Sequence, residues 1–303
     1  MAAFPGVSFL VPVYNKAPHL HYVLRQISRQ TGTFARQYVF VDDGSTDGSL
    51  EILRNLTVDW ENTVIHRQEN KGSAGATNVC IELAEHPYIK FVDADDLISD
   101  SATETLLRAI QESDACLAYG NVEYYAVESE VDLTSVVENP NTEILDNPLR
   151  QAMKNSLFNP TQCLARTEAV KEVGGCDERV VHSQEYSMTL RLAQRWPIMK
   201  VHAPVAFIPQ DGIRLSNNEA RQLQRVTRAL ALFLCEHPDV GVDLRRFACR
   251  RAAGRAWHYA RRHASAGYGS PWFRRYLASF VASGRDASSF IATCCDAFEL
   301  EKN

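Results

Sequence analysis

Three aspartates within four residues, Asp93-Ala94-Asp95-Asp96, follow the apolar run Ile89–Val92. Carboxylates this close repel one another unless a divalent cation or hydrogen-bond donors compensate. A few carboxylates completed by substrate phosphates is the usual way of holding Mg2+, and Mn2+ accepts the same ligands. The alternative is a loop that caps the helix beginning near Ser101, since aspartate is common at such turns. Three further polar clusters end short apolar runs in the same way: Tyr14-Asn15 after Val7–Val13, Asp42-Asp43 after Tyr38–Val41, and Asn70-Lys71-Gly72 after Thr63–His66.

The four runs read as strands, β-branched and apolar, and helical patterns separate them. Pro18–Arg29 carries Leu20, Val23, Leu24 and Ile27 on one face; a second helix runs through Leu50, Ile52 and Leu53, and a third ends at Ala84. Strands joined by single helices imply right-handed crossovers and an α/β fold, a mainly parallel sheet with helices on both faces. Ligands of such sheets lie beyond the carboxyl ends of the strands, where all four polar clusters fall, so four loops converge on one crevice. After a polar, poorly periodic stretch from Glu128 to Asn147, a second block from Pro148 to Ser216 adds a strand at Gln162–Ala165 and a helix at Gln184–Arg195. From Glu219 the pattern is almost wholly helical: Leu223–Cys235, Leu244–His263, Trp272–Val281 and Ser288–Phe298. The expected division is therefore an α/β domain over 1–216 and a helical region over 217–303.

With 303 residues, 45% hydrophobic and 23% charged, the chain has the composition of an ordinary globular protein, which excludes a disordered, collagenous or disulfide-stapled one. Residues 1–218 hold 18 basic and 29 acidic side chains, whereas 219–303 hold 14 and 8. The acidic part suits metal or sugar chemistry better than a grip on a polyanion, and the basic part suits an anionic partner. No nucleic-acid motif is present, and GSAGAT at 72–77 has neither dinucleotide-binding spacing nor a P-loop lysine. Eight scattered cysteines form no C-x-x-C pair and no zinc spacing, which points to reduced thiols. The longest apolar run near the C-terminal part, Ala229–Cys235, is far short of the roughly 20 residues of a membrane span. The start reads as a first strand rather than a secretory leader. A cytoplasmic protein is the expectation.

Through VSFLVPVYN at 7–15, YVFVDDGSTDGS at 38–49, NKGSAGATN at 70–78 and YIKFVDADDLIS at 88–99, in that order, the chain resembles the family 2 glycosyltransferases, inverting enzymes of the GT-A fold. The resemblance continues through TQCLARTEAVKEVGGCDE at 161–178 and SQEYSMTLRLA at 183–193, about the first 215 residues, and leaves the helical tail unexplained. It implies a metal-dependent hexosyl transfer from a nucleotide-diphosphate sugar, UDP-linked by expectation, to a hydroxyl of a glycan or lipid-linked glycan in cell-envelope polysaccharide synthesis. Carried over residue by residue, Pro12, Tyr14, Asn15, Asp42 and Asp43 line the base pocket, with Lys71, Gly72 and Asn78 beside them. Asp93 and Ala94 meet the ribose; Asp95 and Asp96 hold the Mg2+ or Mn2+ that bridges the two phosphates. The family's general base, usually the Asp of a Glu-Asp pair opening the late helix, corresponds to Glu185 in Gln184-Glu185. Inversion needs a carboxylate there, because the acceptor hydroxyl loses its proton as the bond forms. A first-turn acid favoured by the helix dipole is the other reading of Glu185.

Several positions depart from the family. Its Ala-Arg-Asn reads Ala76-Thr77-Asn78, so an arginine that would help hold the nucleotide is missing, and Lys71 is the candidate substitute. A late histidine ligand is replaced by IPQDGIRLS at 208–216, where Asp211 is a candidate metal ligand and Arg214 a candidate partner of the diphosphate. His182, three residues before Glu185, is placed either to line the acceptor side or as a loop histidine, and the loop reading is favoured. These departures are the support for an alternative, a catalytically impaired protein that binds nucleotide or glycan and partners an active enzyme. In the tail, Arg245, Arg246, Arg250, Arg251, Arg255, Arg261 and Arg262 oppose Ala248, Ala252, Ala256, Tyr259 and Ala260 on one helix, with Trp257, Trp272 and Phe273 nearby. That pattern allows peripheral attachment to the inner face of an anionic membrane, or packing of the alanine face with the arginines paired to acidic groups.

Overall fold

The computed structural model describes residues 5–127, 131–180, 184–210, 218–282 and 284–299, with Gln184 described by its backbone. The chain forms two compact units, Met1–Pro148 with Leu157–Glu178 and Leu192–Gly212, and Leu149–Ser156 with Arg179–Arg191 and Ile213–Asn303.

The first unit is built on a nine-stranded sheet: β1 (Val7–Val13), β2 (Arg36–Asp42), β3 (Thr63–Arg67), β4 (Tyr88–Phe91), β5 (Leu97–Ile98), β6 (Leu117–Tyr125), β7 (Thr142–Leu145), β8 (Cys163–Arg166) and β9 (Ile198–Pro209). The order is β3-β2-β1-β4-β8-β6-β9-β5, and β7 pairs with β9. β3, β2, β1 and β4 run parallel, as the strand–helix alternation requires. Antiparallel β8 then joins β4 to β6, and β6 runs parallel to β9.

Helices α1 (Ala17–Ser28), α2 (Ser49–Leu56), α3 (Gly72–Leu83) and α4 (Ala102–Gln111) follow β1, β2, β3 and β5, and α6 (Thr167–Glu172) follows β8. Alternation along β1 sorts its side chains. Val7, Phe9, Val11 and Val13 join Leu20, Val23, Leu24 and Ile27 of α1 and Leu106, Leu107 and Ile110 of α4 in one buried cluster. Leu10, out of phase, is buried outside that cluster, and α3 packs against β1 and β2. A nearly continuous apolar strand is what burial on both faces demands.

The second unit contains α5 (Leu149–Lys154), the beginning of α7 (Gln184–Arg195), α8 (Glu219–Glu236), α9 (Val242–His263), α10 (Pro271–Ala278) and α11 (Ala287–Ala292). The expected last helix is instead α11 followed by a 3₁₀ turn at Cys295–Glu299. The alanine side of α9 is buried: Ala248, Ala252, Ala256 and Ala260 are at most 1% exposed. Small side chains there let α8 and α11 approach closely. Two parts of the expected lipid-facing surface are corrected. Trp257 is buried, with its ring centroid 5.0 Å from that of Phe273 and 6.0 Å from that of Tyr268. Four of the α9 arginines bond within the unit: Arg245 to the carbonyls of Gly284 and Arg285, Arg251 and Arg255 to that of Lys154, and Arg262 to Glu219. All eight cysteines are free thiols. Among the described residues no helix is long and apolar enough to cross a membrane.

Candidate functional site

The carboxyl ends of β1, β2, β3 and β4 lie side by side, and their loops are stitched together by side-chain bonds. Asn15 adopts a left-handed backbone (φ 53°), a conformation asparagine tolerates. Its amide donates to Ser45 Oγ (3.0 Å), and its Oδ1 accepts from the Thr46 amide (2.9 Å). The Lys16 amide donates to Ser49 Oγ (2.9 Å) and the Ala17 amide to Asp47 Oδ2 (2.9 Å). Asp47 therefore caps the start of α1 from the β2–α2 loop. Slight burial raises its carboxyl pKa, but the bonds from the Ser49 hydroxyl and the Ala17 and Ser49 amides outweigh this and hold it below the ordinary value.

Asp43 is enclosed. Its amide donates to the Val13 carbonyl (2.8 Å), while its Oδ1 accepts from Gln68 Nε2 (2.7 Å) and the Lys71 amide (2.8 Å), joining the ends of β1, β2 and β3. Gly44 (φ 77°) follows it, and a methyl group on its Cα would come within 3.2 Å of the Asn70 amide nitrogen, so a side chain at 44 would push these loops apart. Asp42 is fully buried, receives the Ser45 amide (3.3 Å) and faces Arg67 Nε at 3.6 Å. Tyr14, 49% exposed, leaves its ring open to a planar ligand, beside half-buried Pro12.

The DADD loop is divided between outside and inside. Asp95 is partly exposed and pairs with Lys16 Nζ. Asp96 is turned inward and accepts from Thr161 Oγ1 (2.8 Å), which itself accepts from the Asp93 amide (3.0 Å). Ala94 is buried. Beneath the loop, fully buried Lys90 donates to the carbonyls of Phe91 (3.0 Å) and Thr161. Burial pushes its pKa down to about 8 against the opposing pull of Cys163, Asp93 and Asp96.

Lys16, Lys90, Gln68 and Thr161 were not among the expected site residues. A lysine inside an apolar strand such as YIKF is itself a signal, because a buried ammonium requires partners. Thr161 left none: it arrives from 68 residues away in sequence. Asn78 has a different occupation from the one expected. Its amide group donates to the Cys176 carbonyl (3.0 Å) and Glu178 (2.9 Å), and its Oδ1 accepts from the Cys176 amide (2.8 Å). It thus fastens α3 to the turn at Gly175 (φ 62°). Lys71 is exposed, and Gly72 (φ 79°) opens α3. Glu185 stands half-buried in the first turn of α7, in the second unit. Asp211, Arg214 and His182 lie outside the described residues.

Among the described residues no three His, Cys, Asp or Glu side chains form a metal-holding group. A hard cation is nevertheless compatible with this loop. Asp95 already neutralises a cation, the Lys16 ammonium, and Mg2+ ordinarily takes only one or two carboxylates together with phosphate oxygens.

The parallel half-sheet, antiparallel β8 and carboxylate-lined strand ends define a GT-A protein. The model of glycosyl transferase family 2 matches residues 8–174, more than half of the chain, and the chain belongs to that family. Among curated relatives, the glycosyltransferase GlyG of Streptococcus pneumoniae serotype 4 is 38% identical over 120 residues, 39% of this chain and 39% of GlyG. A poly(ribitol-phosphate) beta-glucosyltransferase of Bacillus spizizenii is 40% identical over 105 residues, 34% of this chain and 16% of that protein. The aligned stretch thus spans well under two thirds of these relatives. Among solved structures, S. aureus TarS 1–349 in complex with UDP-GlcNAc superposes with a TM-score of 0.65 at 16% identity, covering 97% of this chain and 91% of that one. The mannosyltransferase PcManGT of Pyrobaculum calidifontis, in complex with GDP-Man and Mn2+, gives 0.55 at 18% identity over 98% and 87%. At these identities the likeness carries the fold alone.

Proposed function

We propose that the protein transfers a sugar, with inversion, from a nucleotide-diphosphate donor to a hydroxyl of a glycan or lipid-linked glycan. The observation that carries this reading is the stitching of four strand-end loops around Asp43 and the DADD loop. Tyr14 and Pro12 offer a face to the base, Asp42 and Asp43 supply buried acceptors behind it, and Asp93 receives the ribose. Asp95, which pairs with Lys16, would hold a divalent cation beside the diphosphate. When bound, the cation stabilises the charge of the departing diphosphate, so no acid for the leaving group is needed. Glu185 takes the acceptor's proton as the new bond forms. A UDP-sugar is the favoured donor and Mn2+ or Mg2+ the favoured metal, in keeping with the nucleotide sugars bound by TarS and PcManGT and the Mn2+ bound by PcManGT.

Calorimetric titration with a panel of nucleoside diphosphates, with and without Mn2+, tests this. One diphosphate is expected to bind in a metal-dependent way, with affinity falling at least about tenfold in Asp95→Ala. Absence of binding to every member of the panel rejects the donor site and moves the reading to the non-catalytic partner.

Contact with an anionic membrane belongs to the same proposal, but on different residues from the α9 face. Leu277, Phe280 and Val281 are 52, 56 and 85% exposed at the end of α10, with Arg274 exposed beside them. Apolar side chains flanked by arginine suit a lipid headgroup layer. The protein is expected to sediment with phosphatidylglycerol vesicles at low salt, and Phe280→Ser/Val281→Ser to remain in the supernatant; wild-type protein that never sediments rejects the contact.

A further inference from the structure

The basic helix has an arrangement that a solvated surface does not need. Phe247, Arg251 and Arg255 recur every four residues and so form one stripe along α9. Each meets the short helix α5 or the loop that follows it. Phe247 lies under Arg150, whose guanidinium carbon is 4.2 Å from the ring centre. Arg251 donates through Nε to the Lys154 carbonyl (2.9 Å) and through Nη2 to Asn155 Oδ1 (2.7 Å). Arg255 donates through Nη2 to the same Lys154 carbonyl (2.8 Å). Two like charges therefore converge on the last carbonyl of α5, where a helix presents partial negative charge. Partial burial and their mutual repulsion lower the pKa of Arg251, a cost that an ordinary exposed face would avoid by letting the side chains spread.

Tyr186 is enclosed beside this pair. It is fully buried, its hydroxyl donates to the Met153 carbonyl at 3.4 Å, and the Arg255 guanidinium lies against it. Tyr186 immediately follows Glu185 in the first turn of α7, and the Thr189 hydroxyl donates to the Glu185 carbonyl (2.6 Å). All these groups belong to one compact unit.

We propose that Arg255 and Arg251 are positioning residues: by clamping α5 and Tyr186 they fix the first turn of α7 and with it the Glu185 carboxylate. The inference rests on the glycosyl-transfer reading and assigns the helical tail a part in it. A carboxylate that must meet a particular hydroxyl gains from such rigidity, because displacement by about 1 Å can lower turnover about 100-fold. Pro12, Tyr14, Asp42, Asp43, Asp93 and Asp95, which carry the donor site in this reading, belong to the other unit, so donor affinity and turnover should separate.

The test uses full-length Arg255→Met, Arg255→Lys and Tyr186→Phe, each checked for a cooperative thermal transition. UDP release from UDP-glucose and UDP-N-acetylglucosamine, with water as acceptor, reports turnover; calorimetry with UDP reports donor affinity; hydrogen exchange reports residues 185–189 against 72–83. Arg255→Met is expected to lower kcat about 10- to 100-fold with donor affinity within about twofold of wild type. Arg255→Lys, which keeps one charged donor for the Lys154 carbonyl, should recover part of the loss. Exchange at 185–189 should rise about tenfold in Arg255→Met and stay unchanged at 72–83. Unaltered exchange at 185–189 in folded Arg255→Met overturns the clamp, as does an equal loss of donor affinity and kcat. Wild-type protein that neither binds a diphosphate nor releases one overturns the glycosyl-transfer reading instead, and the exchange measurement then decides the clamp alone.

Discussion

Glu185→Gln is expected to lower turnover by about 10²- to 10⁴-fold while leaving affinity for the sugar donor within about twofold of wild type. The substitution keeps size and shape and removes the ability to accept a proton, so a loss confined to kcat isolates the base. Glu185 sits in the first turn of α7, where the helix dipole favours negative charge, and the residue before it is the neutral Gln184 rather than a second carboxylate. Glutamate also reaches one methylene further than the aspartate usual in the family. If the backbone is set for that longer arm, Glu185→Asp should fall well below wild type yet above Glu185→Gln, and addition of formate or azide should partly rescue a Glu185→Ala variant. Equal turnover in Glu185→Gln and wild type would remove this residue from the chemistry. A loss of donor affinity in step with kcat would instead make it a structural acid of the helix.

The legible part of the molecule is the part where one segment decides its own environment. Val7–Val13 is apolar apart from Ser8, whose buried hydroxyl donates to Gln37, because both faces of β1 are covered, and the polar residues after each parallel strand stand where the chain turns into the next helix. The strands that complete the sheet depend on partners. Thr142–Leu145 is mostly exposed and becomes β7 only by pairing with β9, within a stretch that reads as irregular. In β9 itself Pro204 has no N–H to give a ladder, and the pairing with β6 shifts register on either side of Asn121, which lies opposite it. The six residues of α5 are too few for a 3.6-residue period to register. The arginine stripe of α9 reads as a surface for the same reason, since its partners are carbonyls, which every residue carries. Within the site, the carboxylates were identifiable by type and spacing, but the inward turn of Asp96 follows from Thr161, and the fastening task of Asn78 follows from a turn about a hundred residues away.

Lys90 yields the expectation with the largest effect on stability. Its ammonium is fully buried and has a pKa of about 8, against 10.5 for an ordinary lysine. Below pH 8 it is charged in both folded and unfolded chains, and the cost of burying that charge is present in full. Between pH 8 and 10.5 the unfolded chain holds the proton more tightly than the folded one, so this residue's contribution to stability rises with pH across that interval. The gap corresponds to about 3 kcal/mol. Lys90→Met has no proton to lose there. Other titrations are common to both proteins, so the difference in unfolding free energy between wild type and variant isolates Lys90. That difference should move by about 3 kcal/mol in favour of wild type as pH rises through the interval, read from urea unfolding at several pH values. At neutral pH the variant also loses the bonds to the carbonyls of Phe91 and Thr161 and the positive charge near Asp93 and Asp96. The Thr161 segment and the DADD loop it steadies should loosen, so metal-dependent diphosphate binding should weaken along with stability. A difference that stays constant with pH would mean that the amine is as easily protonated in the folded protein as in water, and that the strand beneath the DADD loop opens to solvent.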